Sequence, residues 1–320
     1  PDDLSRRGRL GTVPHRAGYG LRGATAPNGA SLALTALPAD GGDLERDGQL
    51  WLLETPTGAL RLLLEGVSAR GTPVWAPDSR LVAAKRLLPD GPHLVVVDVT
   101  TGAVTVSLSM PSAADLFPVG WTPDGGTLYV AVQTPRGFDL AVARGTSPTA
   151  LQVVAPLAAG PARDFRLDPA GRRLSYLAPP GDEHAGFSAY LLDLERVGQR
   201  LPLNQRRPLA GPALGAAWQP GDGGLTLSLA AAGSGMVALR MLAPDGTTLR
   251  TIVPAAPESY DVPLSWSPDG RYLAVRHLTG PDLQRLSGEA LEVLGQDGRR
   301  ARVTAGGTVA FVGWLPPGRP

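Results

Sequence analysis

Three observations predict an all-β propeller fold. A Trp-x-Pro-Asp-Gly motif recurs along the chain, its copies are nearly evenly spaced, and the residues after each copy alternate as a strand does. Trp75 opens WAPDSRLVA, Trp121 opens WTPDGGTLYV, Trp218 opens WQPGDGGLTLSL and Trp266 opens WSPDGRYLAV. Trp314 opens a truncated copy, and weaker copies surround Pro27 and Pro169. The motif prolines fall at 27, 77, 123, 169, 220, 268 and 316, a period that marks a repeat architecture.

Each copy has a local mechanism. Proline presets φ for the second position of a tight turn. Aspartate bonds back to the turn backbone, and glycine takes the left-handed position that closes the hairpin. After the turn, Tyr272, Ala274 and Arg276 share one face, and Leu273 and Val275 the other. A second hairpin follows in most units, as in His93–Val99 and Ala103–Leu108 around Thr101-Gly102. Four strands per unit make one propeller blade. The motif tryptophans belong between blades as core, where burying a ring stabilises by roughly 2–3 kcal/mol.

In chain order, residues 1–19 read as a polar, Arg-rich arm or linker, and residues 20–320 as a single propeller domain. Blade 1 is expected over about 20–66, with strands near Ser31–Leu37, Gln49–Glu54 and Leu60–Leu64. Five further blades follow to about residue 305. There are seven inner-strand motifs but six sets of outer strands. Six four-stranded antiparallel blades are therefore expected, with Thr308–Trp314 closing the ring on the N-terminal blade and the motif near Pro27 displaced or sharing that blade. Seven blades are the alternative.

Composition bounds the function. With 41 Gly and 32 Pro in 320 residues, the chain suits many short strands and tight turns. A formal net charge of +1 provides no field for nucleic acid or an acidic membrane. The Arg6-Arg7-Gly8-Arg9, Arg206-Arg207 and Arg299–Arg302 clusters lack interleaved aromatics and read as charged strand edges. Lys85 is the sole lysine and Ile252 the sole isoleucine, which reads as coding bias. Without cysteine there is no disulfide, thiolate metal site or cysteine nucleophile. No apolar run approaches a membrane span, and a chain that opens on Pro1 leaves an upstream signal or anchor open.

The W-x-P-D-G-x-x-L-A pattern resembles the TolB-type repeat, a bacterial relative of the WD repeat, over about residues 20–318. The resemblance implies a six- or seven-bladed propeller, export from the cytoplasm, and binding of partner proteins of the cell envelope. Similar propellers also cap prolyl-oligopeptidase-type peptidases and form the whole of oligogalacturonate lyase.

Candidate chemistry sits where propellers keep it, on loops between second and third strands and at the channel mouth. The longer loops are Pro38–Gly48, Leu177–Ser188 and Leu278–Gly288. Asp115, Asp164 and Asp261 precede inner strands and would line the channel as a polar ligand site, or act as turn residues. His184 and His277 join them as candidate ligand-binding residues on the loop rim. With His93 they would echo the lyase's histidine metal site, although their differing places in the repeat favour scattered surface histidines. Asp43, Glu45, Asp47 and Glu54 follow the calcium-loop spacing, with Glu45 in place of the shorter Asp or Asn. Neither a nucleophile elbow nor a phosphate loop occurs.

The expected function is non-catalytic: a monomeric extracytoplasmic propeller presenting rim loops to a protein or peptide partner, with no cofactor and no bound metal. The alternatives are a polysaccharide lyase or hydrolase using the channel, and a sensor domain of a larger membrane protein.

Overall fold

Each repeat folds as its motif dictates, into an inner strand, a tight turn after the motif proline, and further antiparallel strands. The computed structural model describes residues 10–19, 21–145, 147–181, 186–196, 207–221, 223–230, 235–303 and 310–315. Among them there is no helix, and so none long and apolar enough to cross a membrane. The chain packs as two compact units, residues up to Leu157 with those from Val312 onward, and Ala158–Phe311.

In the first unit, β1 (Arg22–Thr25), β2 (Ser31–Ala36), β3 (Gly48–Glu54) and β4 (Leu60–Val67) form one antiparallel meander. A second meander comprises β5 (Val74–Trp75), β6 (Leu81–Leu88), β7 (Gly91–Asp98) and β8 (Val104–Ser109), and the Val67–Arg86 pair joins the two into one sheet. The third is β9 (Asp115–Trp121), β10 (Thr127–Thr134), β11 (Gly137–Arg144) and β12 (Gln152–Ala158).

The second unit begins with β13 (Arg163–Leu167), β14 (Arg173–Ala178) and β15 (Ser188–Asp193), and an isolated bridge from Ala189 to Ala210 lies beside β15. Two complete meanders follow, β16 (Ala213–Trp218), β17 (Leu225–Ala230), β18 (Val237–Leu242) and β19 (Thr248–Ala256), then β20 (Ser259–Trp266), β21 (Tyr272–Thr279), β22 (Gly288–Gly295) and β23 (Arg300–Arg302). The Ala256–Ser259 pair links them.

The turns show why the motif needs its residues. Asp269 Oδ1 accepts the Arg271 amide at 3.1 Å and the Ser267 hydroxyl at 2.6 Å, and Gly270 sits at φ 68°. In the second repeat Ser79 takes the same left-handed place at φ 59°, a conformation that costs a residue bearing Cβ. Three of the motif tryptophans stitch their meander to the one before it. Trp75 Nε1 donates to the Ala24 carbonyl at 2.9 Å, Trp218 to the Arg166 carbonyl at 3.1 Å, and Trp266 to Thr226 Oγ1 at 3.0 Å.

Two expectations for the chain ends change. Of the two alternatives for the motif near Pro27, displacement is overturned, because β1 pairs with β2 as the inner strand of the first meander. Of Thr308–Trp314, positions 308 and 309 lie outside the described residues, and 310–315 form no strand. Val312 nevertheless packs into the core of the first meander with Leu34 and Leu53. The N-terminal arm is not free of the fold over its described part. Residues 10–19 form no strand, yet Val13 is buried in that same core.

Candidate functional site

Asp261 and His277 are register partners across β20 and β21, so their side chains leave the same face of the sheet. Asp261 Oδ1 lies 2.8 Å from His277 Nδ1. The Asp261 carboxylate can only accept and the Arg300 guanidinium, whose Nη1 lies 3.1 Å from the same Nδ1, can only donate, so the two compete for that nitrogen. Glu292 on β22 and Arg300 on β23 complete the group. Arg300 donates to Asp261 Oδ2 at 2.6 Å, to Asp261 Oδ1 at 3.1 Å, and to Glu292 Oε2 at 2.7 Å. Arg302 donates to Glu292 Oε1 at 3.1 Å. Both carboxylates are buried, whereas the Arg300 side chain keeps 32 % of its surface exposed.

Ligand atoms of Asp261, His277 and Glu292 all lie within 4.8 Å of one another, and two carboxylates with an imidazole suit a divalent cation. Arg300 occupies that role instead. Burial alone would weaken its guanidinium as a base, but hydrogen bonds and charge attraction from Asp261 and Glu292 hold it above its ordinary pKa. The group as it stands is a closed ion-pair network with every carboxylate oxygen engaged.

A second polar group lies in the first unit. Lys85, on β6 and only 5 % exposed, places Nζ 2.7 Å from Glu45 Oε2 and 2.9 Å from Asp115 Oδ2. The ammonium also lies 5.2 Å from the Phe117 ring centroid, within cation–π range. Glu45 further accepts the Ser68 hydroxyl at 2.8 Å and meets Arg70 at 3.5 Å. Burial opposes ionisation of Glu45, but the bonds and charge of Lys85 outweigh it and hold its pKa below the usual glutamate value. Glu45, Lys85 and Asp115 belong to three successive meanders, which this lysine pins together.

The remaining sequence candidates resolve individually. Asp115, Asp164 and Asp261 lie within the inner strands rather than ahead of them, because β9, β13 and β20 begin earlier than the motif alone suggests. Asp164, at φ 58°, accepts the Ala216 amide at 3.2 Å and meets Arg166 at 3.2 Å, which braces β13 against β16. His184 lies outside the described residues. His93 is held by Ser107 at 3.0 Å and by Asp90 at 3.1 Å.

The calcium-spaced acids do not converge. Asp43 Oδ1 accepts the Glu45 amide and Asp47 Oδ2 the Asp43 amide, both at 2.7 Å, as turn acceptors. Glu54 closes the seven-residue β3, and at about 3.3 Å per residue a strand carries it far from Asp47.

The three long loops do join second and third strands. In the β21–β22 loop, Asp282 accepts the Arg285 amide at 2.9 Å and grips its guanidinium at 2.5 and 2.8 Å. This turn, bridged between Asp282 and Arg285, displays Leu283 and Leu286, which are 41 % and 43 % exposed.

No protein-family model matches the chain. No curated protein matches it either. Solved structures do. The fold is that of the TolB-like propellers. A putative TolB from Agrobacterium tumefaciens aligns at a TM-score of 0.55 with 13 % identity, covering 81 % of this chain and 89 % of that one. TolB from Acinetobacter baumannii aligns at 0.53 with 13 % identity over 72 % of this chain, which spans about half of that protein, 53 %. An oligogalacturonate lyase in complex with manganese aligns at 0.61 with 15 % identity, covering 88 % of this chain and 75 % of that one.

Sequence reasoning placed Asp261 and His277 together among the candidates but missed their partners. Arg300 and Glu292 sit in outer strands, where a charge ordinarily reads as solvated. Lys85 stood out as the only lysine, but the sequence reading put this down to coding bias and gave the residue no role.

Proposed function

We propose that the chain is a non-catalytic binding propeller of six blades that acts outside the cytoplasm and presents its loops to a protein or peptide partner. The observation that carries this reading is the contrast within the last meander. Its one cluster with catalytic or metal-binding residue types is closed by Arg300 and Arg302, while Leu283 and Leu286 stand exposed on a turn locked by Asp282 and Arg285. An apolar pair on a preorganised turn loses little entropy on binding. Five four-stranded meanders with a three-stranded fourth one, and Val312 beside β1, support the six-blade ring. The resemblance to the TolB repeat supports export and a partner in the envelope.

The second reading, a lyase or hydrolase, is favoured by the Asp261–His277 pair and by the likeness to oligogalacturonate lyase. Capture from an envelope extract tests the choice. The binding reading expects one saturable partner that is lost with the Leu283→Asp/Leu286→Asp variant. Turnover of a uronic-acid polymer, abolished by His277→Ala, would replace it with the second reading.

A further inference from the structure

We propose that Asp261, His277 and Glu292 form a site for a divalent transition-metal ion that Arg300 latches shut, so that the ion and strand β23 compete for the same three side chains. This goes beyond the loop reading above, which concerns Leu283 and Leu286, and stands or falls apart from it.

The starting observation is the position of one nitrogen. Arg300 Nη1 lies 3.1 Å from Asp261 Oδ1, 3.1 Å from His277 Nδ1 and 2.7 Å from Glu292 Oε2. The three atoms come from three neighbouring strands, β20, β21 and β22, and converge on one point. A guanidinium Nη carries two hydrogens, so it cannot answer three acceptors at once. The shortfall falls on the 2.8 Å contact between Asp261 Oδ1 and His277 Nδ1. When Nδ1 accepts from Arg300, its lone pair faces a carboxylate oxygen. When Nδ1 carries a proton for Asp261, that proton faces the N–H of Arg300. One contact is unfavourable in either state while a guanidinium holds the centre. A metal ion is not limited to two hydrogens and answers all three lone pairs together.

The donor set selects the ion. Two carboxylates and a neutral imidazole suit zinc or manganese, whereas calcium takes oxygen ligands. The ligand atoms already lie within 4.8 Å of one another. A tetrahedral zinc site with bonds of about 2.1 Å has edges of about 3.4 Å, so side-chain shifts of about 1 Å close the shell. Both carboxylates are buried, and Arg302, on Glu292 Oε1 at 3.1 Å, holds one of them in orientation. The latch is the exposed part. Strand β23 has three residues and pairs only with Glu292, Val293 and Leu294, so few ladder bonds oppose its release.

Titration of the whole chain with zinc, followed by calorimetry and by hydrogen exchange, tests this. The unaltered protein is expected to take up one equivalent weakly, with amide exchange at Arg300–Arg302 speeding up as zinc saturates. Arg300→Ala removes the latch and should bind zinc about a hundredfold tighter or more, the factor that corresponds to freeing a buried ion pair. His277→Ala should abolish uptake with or without Arg300, and calcium should not replace zinc. The exchange measurement needs no variant, so it decides the matter even where a variant fails to fold. Zinc saturation with unchanged exchange at β23, an affinity unmoved by Arg300→Ala, uptake that survives His277→Ala, equal binding of calcium, or no uptake by the unaltered protein at millimolar zinc would each overturn the proposal.

Discussion

Asp261 and His277 meet at 2.8 Å across paired strands, but the same Asp261 carboxylate is already held by Arg300 at 2.6 Å. Arg300 is thus the residue that decides whether this cluster is a brace or a site. Replacing both Arg300 and Arg302 with alanine leaves two carboxylates and an imidazole with no cation. The double variant is expected to bind manganese or zinc in a calorimetric titration at neutral pH, with the unaltered protein showing markedly weaker or no uptake.

Removing the other side of the pair should be destabilising. Asp261→Ala leaves Arg300 partly buried beside only Glu292, and breaking a buried ion pair costs about 3–5 kcal/mol before the 32 % exposure of Arg300 is discounted. A loss of about 2–3 kcal/mol in urea unfolding is expected.

Lys85 makes a sharper case. Lys85→Met keeps the stem but strands Glu45 and Asp115, and a loss of about 3 kcal/mol is expected. Lys85→Arg is not conservative here, because the planar fork cannot place one point charge between Glu45 and Asp115 over the Phe117 ring. Equilibrium unfolding should rank both variants below the unaltered protein.

The same cluster gives a pH dependence. The Glu45 carboxyl is lowered from an ordinary value of 4.5, so its contribution is fully present above that value and disappears as the pH falls through the lower folded-state value. The stability gap between the unaltered protein and Glu45→Gln should be constant from neutrality to about pH 5 and should narrow on further acidification. Asp139 behaves in the opposite sense, since burial raises its carboxyl. Its charge opposes folding at neutral pH, and Asp139→Asn should raise Tm slightly at pH 7 and lose that advantage in acid.

Much of the fold was legible in the sequence because its determinants are local. The Pro-Asp-Gly turns need only neighbouring residues, and strands expected near Ser31–Leu37 and Gln49–Glu54 appear as Ser31–Ala36 and Gly48–Glu54. The site was less legible because its determinants are not local. Arg300 reaches Asp261 from three strands away in sequence order, and Lys85 joins Glu45 to Asp115, so no spacing rule connects them. The calcium-like run shows the converse, a good spacing that is drawn out along the strand expected over Gln49–Glu54.

The tryptophans themselves separate by stability. Trp218→Ala removes a buried ring and its bond to Arg166 and should cost about 3–5 kcal/mol. Trp121→Ala, at a cavity wall and with no hydrogen bond to lose, should cost distinctly less in the same urea titration.

The most direct test of the account is the affinity of the captured envelope partner for three forms of the chain: unaltered, Leu283→Asp/Leu286→Asp, and Arg300→Lys. The account predicts that the loop variant weakens binding by about tenfold or more, the effect of losing a central apolar anchor, while Arg300→Lys binds as the unaltered chain does. Undiminished binding by the loop variant, with binding lost in Arg300→Lys, would place the function in the Asp261–His277 cluster and contradict it.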